Sequence, residues 1–286
     1  MLRTRVITAV VMVAVILGAL ASASRWPFVA VTLLLCAGAA WEWARLNQGG
    51  PVLSLVWGGL LVVLAVAVLA GGWRDAAPAW LWWAVGALWV GAGGLALRRG
   101  PAGWPLLPTV LRWVLGLAIL WAAWMALIHA RAIGINFLLS MLCVVWMADV
   151  AAYFGGRAFG RRKLAPTISP GKSWEGVWSG MAGVLLLALV WVWLDGRFGF
   201  DGPSLFTRLA DGLGWALAVP ALLALCGLSV MGDLFESLVK RAAGAKDSSR
   251  LLPGHGGVLD RVDALLPVMP VTLALVASLG ATAGAR

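Results

Sequence analysis

Between Ser237 and Asp263 the chain sets five basic residues (Lys240, Arg241, Lys246, Arg250 and Arg261), three aspartates (Asp247, Asp260 and Asp263) and His255 into 27 positions. Only 12% of the whole chain is charged, so this density needs a reason. Lys and Arg suit phosphate oxygens, Arg as a planar fork and Lys as a point charge. Aspartates are hard oxygen donors, the type Mg²⁺ prefers when it also binds substrate phosphates. The turn from Pro253 to Gly257 is rich in glycine, which lets backbone approach a ligand closely. Together these residues point to metal-assisted phosphoryl or nucleotidyl transfer. A loop made basic only to fix membrane topology has no use for His-Gly-Gly or for so many aspartates.

A second polar cluster lies upstream, between Gly155 and Gly176, and holds Arg157, Arg161, Arg162, Lys163, Lys172 and Glu175. Its Gly171-Lys172-Ser173 resembles a phosphate loop only superficially, because the first glycine of that pattern is absent and no strand precedes it. Ser169 or Ser173 can cap a helix starting near Trp174, whose first amides would favour an anion, with Lys172 adding charge there. Just before the cluster, Asp149 places a carboxylate in an apolar helix, which marks a functional candidate or a partner for a base from the next loop. The two readings are compatible. Further on, Ser229, Asp233, Ser237 and Lys240 recur at helical spacing, with Glu236 nearby, so one helix face leads from an apolar run into the central cluster.

Ser237, Lys240, Arg241, Lys246 and Asp247, followed by Leu252-Pro253-Gly254-His255-Gly256-Gly257 and by Asp260, Arg261 and Asp263, resemble the signature of the phosphatidate cytidylyltransferases, or CDP-diacylglycerol synthases. Asp149, Tyr153, Gly156 and the string from Leu164 to Gly176 resemble the same family, while Ser249 stands where glycine is expected. The resemblance covers the second half of the chain. It implies that phosphatidic acid and CTP give CDP-diacylglycerol and pyrophosphate, in phospholipid biosynthesis. It further implies Asp233 and Asp260 as the main Mg²⁺ ligands, helped by Asp263 or Asp247, with any monovalent cation requirement left open. Lys240, Arg241, Lys246 and Arg261 would neutralise phosphates, joined by Lys172 and Lys163. His255 would donate to a phosphate or orient the turn, and Asp149, Ser169, Ser173, Glu175, Ser237, Gly256 and Gly257 would line the substrate. A phosphate monoester has its second pKa at about 6, so the attacking lipid needs no strong base; the harder task is to bring two polyanions together.

The elements that must carry these clusters follow from composition. The chain is 62% hydrophobic with a mean hydropathy of +0.93, outside the range of soluble domains. Apolar runs near membrane length, without period-2 alternation, predict an all-α polytopic membrane protein rather than a barrel. About nine transmembrane helices are expected, at roughly 6–22, 26–44, 53–72, 79–97, 113–128, 133–154, 176–194, 213–233 and 264–283, with cytoplasmic polar loops forming the active site. Residues 1–132 read as anchoring helices without chemistry and 133–286 as the catalytic part. Alternating the connections puts most of the 22 Lys and Arg on one side, which predicts a cytoplasmic N-terminus, an external C-terminus and, for a bacterial chain, the inner membrane.

His129 is expected at the outer interface, and Asp195 to Asp211 as a solvated external loop. Cys36, Cys143 and Cys226 read as packing residues. The net charge of +10 is spread between spans, which fits topology and anionic ligands and excludes nucleic acid as the partner. Small-residue helix faces leave a homodimer open. Two other classes remain: a CTP-dependent polyprenol or lipid kinase, which would transfer the γ-phosphate, and an anion transporter, which would need charge at the midplane of several spans.

Overall fold

The computed structural model describes residues 2–72 and 77–283; Arg74 and Arg286, used in the charge count, lie outside the described residues. Eight described helices are long and apolar enough to cross a membrane, and a shorter apolar helix over Val6–Ala21 makes a ninth segment. The chain is therefore an all-α polytopic membrane protein. The helices are α1 (Leu2–Ala21), α2 (Trp26–Leu46), α3 (Pro51–Ala70), α4 (Ala79–Leu88), α5 (Gly94–Gly103), α6 (Thr109–Ile133) and α7 (Ile135–Phe159). After a two-stranded hairpin, β1 (Lys163–Ala165) and β2 (Ser169–Ser173), come α8 (Trp174–Arg197), α9 (Leu205–Leu213), α10 (Trp215–Ala242), α11 (Leu259–Val262) and α12 (Leu265–Ala283). A π-helical turn over Trp89–Gly93 joins α4 to α5 in one span.

Without a hydrophobic drive between helices inside lipid, close packing must hold them together. Small residues permit this along α7 and α8. A Cβ added at Gly180 would lie 2.8 Å from the Ala148 carbonyl oxygen, and one at Gly155 would lie 1.9 Å from Ser179 Oγ. At the other contact, α6 meets α2 where Gly116 faces Trp43, and a Cβ there would lie 1.8 Å from the indole nitrogen. Trp43 is fully buried, donates to the Arg112 carbonyl at 2.8 Å, and meets Trp104 and Phe235 with ring centroids 6.0 Å apart. Several tryptophans thus form core rather than a headgroup belt. Gly116→Ala is expected to cost about 1–3 kcal/mol by overpacking, seen as a lower unfolding temperature in detergent.

Two sequence expectations change. His129 is buried rather than interfacial: its Nδ1 lies 2.8 Å from the Met125 carbonyl and its Nε2 accepts from the Ala77 amide at 3.0 Å. The Asp195 to Asp211 connection is an ordered cap rather than a solvated loop. Its amphipathic α9 buries Leu205, Phe206 and Leu209. Asp195 accepts from Asn136 Nδ2 at 2.8 Å and from Thr207 Oγ1 at 2.6 Å. Asp201 accepts from the Ile135 and Asn136 amides, which closes the start of α7 where amides have no helical partner.

Candidate active site

The polar stripe foreseen from spacing lies on α10, which continues past the apolar run to Ala242 and carries Asp233, Ser237 and Lys240. The β1–β2 hairpin stands beside it. Ser173 ends the hairpin and caps α8, accepting from the Gly176 amide at 3.2 Å. Glu175 holds the residues that lead into β1, accepting from the Arg161 and Arg162 amides and pairing with Arg162 Nε at 3.2 Å. Glu175, a residue expected to line the substrate, thereby fixes the hairpin that presents Lys172.

A cavity of about 480 Å³ opens between α7, the hairpin and α10, lined by Asp149, Tyr153, Arg157, Ser169, Lys172, Ser173 and Asp233 among apolar side chains. Across it Lys172 Nζ pairs with Asp233 Oδ2, while Ser237 Oγ donates to Asp233 Oδ1 at 3.4 Å. Asp149, Lys172 and Asp233 line the same cavity, so the intramembrane carboxylate and the next loop's cation share one site. Arg157 joins this lining from α7, one helical turn beyond Tyr153.

Next to the cavity lies a more deeply buried group of charges. Lys240 Nζ sits 2.5 Å from Glu236 Oε2 and 2.6 Å from Asp260 Oδ1. The other Asp260 oxygen, Oδ2, accepts from the Ser248 amide at 3.0 Å, Ser248 Oγ at 2.9 Å and the Gly257 amide at 2.8 Å. Asp263, at the end of α11, packs against Gly232 next to Asp233, which brings the two groups side by side. Among the described residues no three His, Cys, Asp or Glu side chains stand gathered as a metal cluster.

The Gly-rich turn has a steric reason. Gly256 adopts φ +83°, and a Cβ there would lie 2.7 Å from Asp260 Oδ2. At Gly257 it would meet Ser248 Oγ at 1.9 Å and Glu42 Oε1 at 2.4 Å. Both glycines therefore serve the chain's own close packing around carboxylates. The main-chain carbonyl of His255 accepts from Arg261 Nη2 at 2.7 Å, which ties Arg261 to the turn. Arg241 ties the two polar loops, donating to the carbonyls of Ile168 at 3.4 Å and Ala245 at 3.3 Å. Lys163 lies exposed on β1, opposite Ser173 in register. Lys246 and Asp247 line a different cleft, with Arg250 and Arg45.

Sequence reasoning missed Glu42. This carboxylate on α2 is fully buried and accepts four hydrogen bonds from the signature loop. Oε1 takes Ser249 Oγ at 2.5 Å and the Val258 amide at 2.9 Å; Oε2 takes Ser248 Oγ at 3.1 Å and the Leu259 amide at 2.7 Å. It thereby supplies acceptors to the first amides of α11, the short helix that carries Asp260. The available signal was a lone acid inside an apolar span.

Cations facing carboxylates at the polar end of an apolar cavity can bind and align phosphate groups next to a lipid. A family model described as the cytidylyltransferase family matches residues 3–279. A phosphatidate cytidylyltransferase of Pseudomonas aeruginosa is 38% identical over 294 residues, covering 98% of each chain. Enzymes of that name from Haemophilus influenzae and Brucella suis are each 47% identical, over 139 and 133 residues. These matches cover 48% and 46% of this chain, and 44% of each relative. With a match that runs almost end to end, the chain belongs to the cytidylyltransferase family.

Proposed function

We propose that the protein transfers the cytidylyl group of CTP to phosphatidic acid, giving CDP-diacylglycerol and pyrophosphate. The observation that carries this reading is the Lys172–Asp233 pair spanning a cavity with apolar walls and a polar end. A substrate with acyl chains and a phosphate monoester suits such a cavity, and Trp146, Tyr153 and Phe154 expose apolar surface beside it. A lipid phosphate oxygen attacks the α-phosphorus of CTP, the bond to the bridging oxygen breaks, and pyrophosphate leaves with the bonding electrons. Lys172 and Arg157 neutralise the approaching phosphates, while Glu236 and Asp260 hold Lys240 rigid beside them. Positioning and electrostatic stabilisation are the main contributions such a site makes to transfer between phosphates.

Mg²⁺ dependence belongs to the same proposal. Asp233 and Asp263 present hard oxygens within electrostatic range of each other, a donor set that suits Mg²⁺ when water and phosphate oxygens complete the shell. Asp233 and Asp263 would hold the ion, with Asp260, whose oxygens are engaged by Lys240, Ser248 and Gly257, adding its charge beside them. When bound, it would neutralise charge on the reacting phosphates. We also place the N-terminus and both polar loops in the cytoplasm, where CTP is found, and the C-terminus outside an inner membrane. The distribution of Lys and Arg supports that orientation.

The test is purified protein in detergent with phosphatidic acid, CTP labelled at the α-phosphate, and Mg²⁺, followed by separation of lipid from water. Label is expected in the lipid and is expected to vanish on chelation. Labelled CDP with unlabelled lipid would replace this reading with γ-phosphate transfer, and absence of turnover would reject both.

A further inference from the structure

Arg112, in the first turn of α6, is a buried arginine that needs a partner. It is only 4% exposed, yet it has no carboxylate partner among the described residues. Its Nη2 donates to Thr109 Oγ1 at 2.8 Å and its Nη1 to Asn47 Oδ1 at 3.5 Å, while Nε is buried without a partner. An uncompensated buried cation is costly, so its retention calls for an anion. Arg112 lines a cavity of about 210 Å³ with Arg45, Gln48 and Trp104. Gln48, at φ +68°, is the left-handed residue that ends α2, with its amide on the Arg45 carbonyl at 3.2 Å and the Gly49 amide on the Ala44 carbonyl at 2.8 Å, so this turn sets the wall of the cavity.

This cavity neighbours a larger cleft of about 540 Å³, and Arg45, Leu46 and Ala243 line both. The larger part adds Lys246 and Arg250, and Asp247 is the single carboxylate lining either part. Arg45 lies over the Trp41 ring with its guanidinium carbon 4.7 Å from the centroid, which orients it. Four cations against one carboxylate, three of them forked guanidinium groups, match a phosphate better than any neutral ligand. None of these lining residues belongs to the Lys172–Asp233 cavity.

We infer that Arg45, Arg112, Lys246 and Arg250 form a second anion site, which takes a phosphate or polyphosphate group outside the transfer cavity. It is built from α2, α6 and the loop after α10, and Glu42, one turn before Arg45, holds the same loop from beneath. Lys246, which the family resemblance placed among the cations on the reacting phosphates, lines this site together with Arg250. The inference goes beyond the transfer reaction and does not depend on it.

The experiment uses the full chain in detergent carrying Lys172→Met, which removes that ammonium from the transfer cavity. Inorganic pyrophosphate is titrated at fixed ionic strength and binding is read by calorimetry. Saturable binding is expected, weakened about tenfold or more by Arg112→Gln, in keeping with loss of a charge-assisted hydrogen bond. Arg45→Gln, at an exposed position, is expected to weaken it similarly and tests the site even if Arg112→Gln fails to fold. A parallel titration in mixed micelles of phosphatidic acid separates the sources: competition with pyrophosphate assigns the site to lipid phosphate, and its absence to free polyphosphate. Binding unaltered by both substitutions, or no saturable binding of either probe, overturns the inference. Because no CTP turnover is read, failure of the transfer reaction would leave this result standing.

Discussion

Asp233→Asn is expected to lower the rate of label transfer into lipid by about 10²–10³-fold, the cost of losing one pre-organised electrostatic contact in an enzyme site. The change keeps the side-chain shape and removes the charge that faces Lys172 across the cavity and interacts with Asp149 and Asp263. The residue is half-buried with Lys172 as its ionic partner, so α10 and the bundle should hold. Unfolding temperature should therefore stay near that of the parent while turnover falls. Lys172→Met should give a loss of the same order, and the double variant should lose less than the sum of the two, because each single change already breaks the shared pair. Turnover within about threefold of the parent in Asp233→Asn would remove Asp233 from the reaction.

Glu42→Ala is the second large effect. It leaves three donors without their acceptor, the half-buried Ser249 hydroxyl and the buried amides of Val258 and Leu259, while the Ser248 hydroxyl keeps Asp260 Oδ2. Each unsatisfied buried donor costs about 1–3 kcal/mol, and partial relaxation brings the expected total to roughly 3–5 kcal/mol. Activity should fall by about 10²-fold through displacement of Asp260 and Lys240, since misplacement near 1 Å is enough for that. Glu42→Gln keeps the shape and one good acceptor, so it should recover part of the stability. The distinguishing measurement is proteolysis of the 243–257 loop: faster cleavage in Glu42→Ala with intact helix content would mark Glu42 as a positioning residue. Unchanged cleavage and a melting temperature equal to the parent would refute that role.

The membrane spans were legible because bilayer thickness fixes the length of an apolar run, and each expected run has its helix. The face carrying Asp233, Ser237 and Lys240 was legible for a similar reason, since helical spacing survives where an apolar helix turns polar. Contacts across distant sequence were not. Glu42 meets Ser248 across 206 positions, and no local pattern near Glu42 names that partner. Lys246 and Arg250 have the right chemistry for phosphate, but the turn that follows α10 decides which cleft they face. The cap around α9 was missed although Leu205, Phe206 and Leu209 recur at helical spacing, because the surrounding charges read as solvent exposure.

The glycine seam between α7 and α8 has a consequence for how the cavity can respond. Backbone touches side chain or backbone at Gly155, Gly176, Gly180 and Gly183, so these helices form a single slab with no room to slide. Lys172 stands at the edge of that slab and Asp233 stands on α10, so their ion pair is a latch across a joint. In the reaction proposed above, an anion that captured Lys172 would free Asp233 for a cation, and a cation on Asp233 would free Lys172 for an anion. Each ligand removes the other's competitor, and by linkage the gain in affinity is the same whichever arrives first.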